Sequence, residues 1–292
     1  MPDQVRSPVA PPSPTVASWE LSLRLRERRI ELGVDVATIT GALGFTRNYW
    51  SAVENERRIL SEEKLGLLID LLEFDTHEQG ELYALREQSR GRGWWTAYSA
   101  LYGEETHRFH GLEYGAQSIR SYEGLVPGLL QTPEYTRALM EASIHLRPVE
   151  VDQRIEVRRR RQERLTGEDP LHLTVILGEA ALLQQVGGRE VFRAQLQYLA
   201  EMARAHPKTI QIRVLTFNSP GCSLIGASTF HLIDFASSRL PTLVWQEAIT
   251  VRQILDQPGQ VRDVVFAWAD ALRLTLSAEE SVRMVEGYAE EL

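Results

Sequence analysis

Between Trp19 and Gln88 the apolar positions come in short runs spaced three, four and seven apart: Leu21, Leu25 and Leu32; Val36 to Leu43; Arg47 to Val53; Leu65, Leu68, Ile69 and Leu72; Leu82 and Leu85. That period predicts short helices whose apolar faces meet. Gly33 and Gly44 break the runs. Asp35, Thr46 and Ser61 each precede one, where a short polar side chain accepts from unpaired helix N–H groups. Ser89-Arg90-Gly91-Arg92-Gly93 then ends the pattern and reads as a linker.

From Trp94 onward the texture is mixed. Helical patterns cover roughly 105–122, 133–145 and 149–165, and Leu171 to Leu177 (LHLTVIL) has the length and composition of a buried strand. Helices follow near 179–185 and 189–205, on either side of Gly187-Gly188. Further strands are predicted at 210–215, 228–235 (STFHLIDF in its alternating part) and 243–246, and helices at 259–274 and 277–290. Ser277-Ala278-Glu279-Glu280 has the capping-box pattern. The predicted class is α+β: an arm over 1–18, an all-α unit over 19–90, a linker over 91–104 and a larger mixed α+β unit over 105–292. Five of the 13 prolines fall within residues 1–14, so the arm is expected to be disordered.

Composition narrows the class. With 292 residues, 43% hydrophobic and 25% charged, the chain suits two globular domains and excludes a collagen-like or low-complexity protein. No run approaches the length of a membrane span, and the N-terminus lacks a secretory pattern, so a cytoplasmic protein is expected. The single cysteine, Cys222, excludes an internal disulfide and a multi-cysteine zinc site. The net charge is −8, and residues 19–90 hold 10 Lys and Arg against 14 Asp and Glu. Nucleic-acid binding draws on positive charge, so any DNA contact here has to rest on a local constellation.

Val34 to Arg58, VDVATITGALGFTRNYWSAVENERR, supplies one. A helix of about eight residues, a turn at Leu43-Gly44-Phe45 and a second helix opening at Thr46 form the arrangement that lays one exposed helix in the major groove while the first braces it. The segment resembles the Xre-type, phage-repressor-like helix-turn-helix family, in which five helices pack together. The resemblance implies that Thr46 caps the recognition helix, that Arg47, Asn48 and Ser51 face base edges with Ala52 beside them, and that Arg57 and Arg58 meet phosphates beyond its end. It also makes Trp50 a core residue. Arg bonds guanine bidentately, Asn adenine, and Ser either. Val36 stands where that family usually has a phosphate-bonding Gln, and Glu56 where it usually has Gly.

The larger unit carries its own ordered set: Gly111-Leu112-Glu113 with Ala116 and Ile119, Val126 to Tyr135 (VPGLLQTPEY), Arg158 to Gln162, Gly178 to Leu182, Val186-Gly187-Gly188, and Leu276 to Ser281. These resemble the domain of unknown function that follows an Xre-type module in antitoxin-like regulators of actinobacteria. Over about 19–290 the resemblance implies a DNA-binding transcriptional regulator of development or secondary metabolism, often beside a small partner protein encoded next door. Two modules on one duplex face, roughly 34 Å apart, need a dimer, so a homodimer held by the larger unit is expected.

Other signals have plainer readings. Ser61-Glu62-Glu63-Lys64 fits an acylase S-x-x-K, but lacks its companion motifs and reads as a helix cap. His107 and His110 have no third ligand nearby. Cys222 sits in a loop without a basic neighbour in sequence. Trp94-Trp95 reads as packing at a domain start. The run Arg154, Arg158, Arg159, Arg160, Arg161, Arg164, offset by Glu156 and Glu163, reads as a solvated, ion-paired face, with Arg154, Arg158 and Arg161 the candidates for an anion or an acidic partner. With no nucleophile elbow, phosphate loop or dinucleotide fingerprint, neither an enzyme nor a cofactor or metal is expected. The alternative function is an antitoxin-like interaction module that binds no DNA specifically.

Overall fold

The computed structural model describes residues 10–144 and 146–292, and the chain divides into two units, Pro11–Thr96 and Ala97–Leu292. The first unit has five helices: α1 (Pro14–Glu31), α2 (Val36–Leu43), α3 (Arg47–Glu54), α4 (Glu62–Leu71) and α5 (Thr76–Ser89). Their shared core holds Leu21, Leu25, Ile39, Leu43, Trp50, Val53, Leu65, Leu68, Ile69, Leu72 and Leu82. These are periodic positions of the sequence; Leu32 departs from the set and lies at the surface.

The disordered arm expected over 1–18 is corrected at its C-terminal end. Ser13 accepts from the Val16 N–H at 3.4 Å, Pro14 sits in the first turn of α1, and Ala17 is buried. Proline fits a first turn because that N–H has no helical acceptor, so the proline-rich composition conceals a helix start. The rest of that expectation, residues 1–9, lies outside the described residues. The expected linker 91–104 is corrected too: Trp94–Leu101 is 3-10 helical, Trp95 is buried, and Trp94 stands edge-on to it at 5.9 Å.

Local chemistry sets the helix ends. Asp35, Thr46 and Ser61 accept from the N–H groups of Thr38, Tyr49 and Lys64 at 2.7, 3.2 and 3.3 Å. Four consecutive helices end on a residue of positive φ, namely Gly33, Gly44, Glu56 and Glu73 at 65°, 66°, 62° and 53°. After each, the next N–H reaches back to a carbonyl five residues earlier: Val34 to Arg29, Phe45 to Thr40, Arg57 to Ala52 and Phe74 to Ile69. This is the Schellman closure. Two of the four ends carry glycine, and two hold a glutamate where glycine is the unstrained choice.

The second unit comprises α6 (Glu104–Tyr114), β1 (Ser118–Glu123), α7 (Pro133–Glu141), α8 (Val151–Gln162), β2 (His172–Gly178), α9 (Arg189–Ala205), β3 (Ile210–Leu215), β4 (Thr229–Asp234), β5 (Leu243–Glu247), β6 (Arg252–Leu255), α10 (Pro258–Leu274) and α11 (Ala278–Glu291). The six strands form one mixed sheet in the order β3-β2-β1-β4-β5-β6. The first three run parallel, while β4, β5 and β6 add on as an antiparallel meander. On one face Tyr122, Ile176, Phe230, Leu232 and Val244 pack with Trp268 and Ala271 of α10. On the other, Phe109 of α6 stacks on Trp245 at 4.5 Å. Helices α9 and α11 pack together, with α11 also on β3, and the Ser277–Glu280 capping box opens α11. The class is therefore α+β. No helix among the described residues is long and apolar enough to cross a membrane.

Three expectations change here. The helix drawn over 105–122 stops at Tyr114, and its last third is β1, the strand on which the sheet is centred. β1 reads SIRSYE, and Ser118, Arg120 and Glu123 find partners far along the chain, whereas the buried Ser121 hydroxyl has none among the described residues. Ser118 and Arg120 each bond Asp234 at 3.1 Å, and Glu123 lies 3.0 Å from His231. Edge strand β6 has exposed Arg252 and Gln253 and gave no strand pattern. The segment near 179–185 is a short 3-10 turn, Glu179–Leu182, where the Glu179 carboxylate accepts from the Phe217 N–H and the Tyr288 hydroxyl at 2.6 and 2.7 Å.

Candidate functional site

Helix α3 has only eight residues, and its two faces differ sharply. Trp50 and Val53 point into the core, with Trp50 1% exposed. Arg47, Asn48 and Ser51 are exposed on the opposite side, Ala52 is half-buried, and Thr46 caps the helix while itself exposed. The positions expected to read bases thus share one outward surface. At about 100° per residue, Arg47, Ser51 and Asn48 fall within one arc of about 100° around the helix, and Trp50 and Val53 lie outside it on the core side.

The brace beneath is built from side chains. Arg29 of α1 bonds Glu54, the last residue of α3, at 3.0 Å and the Val34 carbonyl at 3.3 Å. The Ser22 hydroxyl donates to the Val53 carbonyl at 3.1 Å. At the turn, Lys64 Nζ donates to the Leu43 carbonyl at 2.8 Å and stands 5.6 Å from the Phe45 ring centre. Lys64 therefore closes the end of α2, and Ser61, its companion in the S-x-x-K spacing, is the cap of α4. Asn55 donates to the Ser51 carbonyl at 2.7 Å.

Electrostatics at this surface are local. Arg57 and Arg58 are exposed just past α3, and the Arg58 guanidinium lies 5.5 Å from the centre of the Tyr49 ring. Tyr49, itself 4.4 Å from Phe45, was not among the sequence candidates; its position one turn before Val53 is the only sequence sign of it. The Thr38 hydroxyl and N–H hold the Asp35 carboxyl below its usual range, with a smaller effect from Arg47. Asp35 thus stays ionised as the cap of α2.

Helix α8 divides its charge between two faces. Arg159 pairs with Glu156 and Glu163 at 2.8 and 2.9 Å, and Arg160 with Glu156 at 3.0 Å. That half matches a solvated, ion-paired face. Arg154, Arg158 and Arg161 lie at i, i+4 and i+7 and turn inward, which corrects the expectation of an open surface for an acidic protein. Arg154 bonds Glu150 at 2.9 Å and the Leu101 carbonyl at 2.6 Å, and Arg161 clasps the buried Glu113 carboxylate with two bonds of 2.6 and 2.7 Å. Arg158 donates to Gln131 Oε1. Arg164 is structural, donating to the carbonyls of Tyr114, Ala116 and Asp169 at 2.9, 2.9 and 2.6 Å. Neither Glu113 nor Gln131 was a sequence candidate, although both sit in the motifs Gly111-Leu112-Glu113 and VPGLLQTPEY.

Comparison with known families gives two matches. Residues 20–82 match a helix-turn-helix domain, and residues 106–287 match the family described as Domain of unknown function (DUF5753). The first supports DNA binding. No curated protein and no solved structure matches the chain.

Proposed function

The chain belongs to the DUF5753 family, and we propose that it is a sequence-specific, Xre-type transcriptional regulator of the antitoxin-like group found in actinobacteria. In this reading it works in the cytoplasm as a homodimer whose larger unit holds the two modules together and senses a ligand or a small partner protein. The observation that carries the DNA-binding part is the outward face of α3, where Arg47, Asn48 and Ser51 are exposed while Trp50 and Val53 anchor the helix. Thr46 and Ala52 border that face, and Arg57 with Arg58 supplies the phosphate contacts. Selection of bound sequences from a random duplex pool tests it. A recurrent two-part site with half-sites about one helical turn apart is expected; recovery of no enriched sequence overturns it.

A second reading, an antitoxin-like interaction module without specific DNA binding, is favoured by one fact: residues 19–90 are net acidic. The same selection separates the two. Sedimentation of the intact chain tests assembly, and a monomer at micromolar concentration rejects the dimer.

A further inference from the structure

Within the second unit, the inward face of α8 meets α6 and the loop that leaves β1. Three guanidiniums, Arg154, Arg158 and Arg161, gather there against two carboxylates, Glu150 and Glu113, each of which is already bonded to one of them. Arg158 has no carboxylate within ion-pair distance among the described residues. Its Nε is buried without a hydrogen-bond partner, and its single bond runs to the neutral side chain of Gln131. Burial and the neighbouring Arg161 press its pKa down to about 10, so the guanidinium is still charged near neutrality. Glu247 and Glu113 act on it only from beyond ion-pair distance, and a buried charge with no carboxylate in contact is costly. Water satisfies an N–H but supplies no negative charge.

The surroundings are organised around that guanidinium. Gln131 is fixed by bonds to the Val126 carbonyl at 2.7 Å and the Thr136 hydroxyl at 3.2 Å. Gly128 lies beside the guanidinium, where a Cβ would stand 3.6 Å from Arg158 Cζ, an ordinary van der Waals contact. Tyr102 stacks under Arg154 at 4.7 Å and lies edge-on to His110 at 4.8 Å. Through Phe109, which lies 5.5 Å from both the Arg161 guanidinium and the His231 ring, the cluster reaches the sheet. There His231 Nδ1 is a second buried polar atom without a partner.

We propose that this cluster is a binding site for a small organic anion, whose carboxylate or phosphate group is received by Arg158 beside Gln131 and Tyr102. The proposal deepens the sensing role suggested above by naming the chemistry of the effector, and its test uses no DNA, so the two readings fail separately. Full-length protein is melted in sodium phosphate, in sodium acetate and in sodium chloride of equal ionic strength. Wild type and Arg159→Met, altered on the solvent face, should show a saturable rise in Tm with phosphate or with acetate beyond that in chloride. The probe that acts assigns a phosphate or a carboxylate ligand. Arg158→Met should lose that rise while keeping or raising the Tm in chloride, because an unpaired buried charge is gone. The proposal is overturned if neither probe exceeds chloride, if Arg158→Met responds as wild type does, or if Arg158→Met melts lower in chloride, as loss of a structural arginine would make it.

Discussion

Arg29 of α1 holds Glu54, the last residue of α3, at 3.0 Å, with both side chains largely shielded. The end of the outward-facing helix is thus tied to the first helix of the unit, 25 residues earlier. Arg29→Met should cost about 1–2 kcal/mol, between the values for exposed and for fully buried pairs. Urea unfolding of Arg29→Met, Glu54→Gln and the double variant measures the coupling; strictly additive losses would show that the pair contributes nothing.

On the outward face itself, Arg47→Ala and Asn48→Ala should each relax preference at one or two base pairs, at about 1–3 kcal/mol apiece. Arg57→Ala should weaken all sequences alike. Because the module is net acidic, the salt dependence should be shallow, with few phosphates neutralised per chain. Binding to a randomised operator checks both, and equal base preference in Arg47→Ala and wild type refutes the assignment.

Glu56 carries φ 62° at the end of α3, in the conformation that Gly33 and Gly44 serve elsewhere in the unit. A non-glycine residue pays roughly 1–2 kcal/mol to sit there, partly offset by the unfolded-state entropy that glycine adds. Glu56→Gly should therefore stabilise the module by up to about 1 kcal/mol. It also removes a negative charge next to Arg57 and Arg58, so DNA affinity should rise at low salt. A lowered urea midpoint would count against the strain.

Trp50 is buried in the five-helix core, and its indole N–H has no partner there. Trp50→Ala should cost about 3–5 kcal/mol through the cavity it leaves. Trp50→Phe fills most of that space and removes the unpartnered donor, so its loss should be clearly smaller. An unaltered Tm in Trp50→Ala would place the side chain outside the core.

His110 is buried, and that burial, with Arg161 nearby, drives its pKa well below the ordinary imidazole range. In the unfolded chain it titrates near pH 6.5, so the unfolded state takes up a proton that the folded state refuses. Its contribution is fully present above about pH 6.5 and is lost as pH falls towards the folded pKa, at no more than about 1.4 kcal/mol per pH unit. Chemical unfolding at about pH 7.5 and pH 5.5 should show a smaller acid loss in His110→Gln than in wild type.

What could be read in advance follows the reach of the interactions. The α2–turn–α3 segment is set by neighbours: Asp35 and Thr46 cap within three residues, Gly44 closes its own helix, and the apolar period fixes Ile39, Leu43, Trp50 and Val53 in the core. Strand β1 was hidden because Arg120 is neutralised by Asp234, 114 residues on, and nothing local marks SIRSYE as central. For α8, the i, i+4, i+7 spacing of Arg154, Arg158 and Arg161 was visible, but its direction was not. That depends on Glu113, 48 residues before Arg161.

In the proposed role, the shortness of α3 limits how much sequence one chain can name. Eight residues rising about 1.5 Å each make a rod of about 12 Å, which lies alongside roughly four base pairs at about 3.4 Å per step. Four fully specified base pairs carry about 8 bits, whereas choosing one site among roughly 10⁶–10⁹ competitors takes about 20–30 bits. A single recognition helix therefore spells a syllable rather than an address. The address must come from several such syllables set at fixed separations, and the separation then encodes information that none of these side chains holds alone.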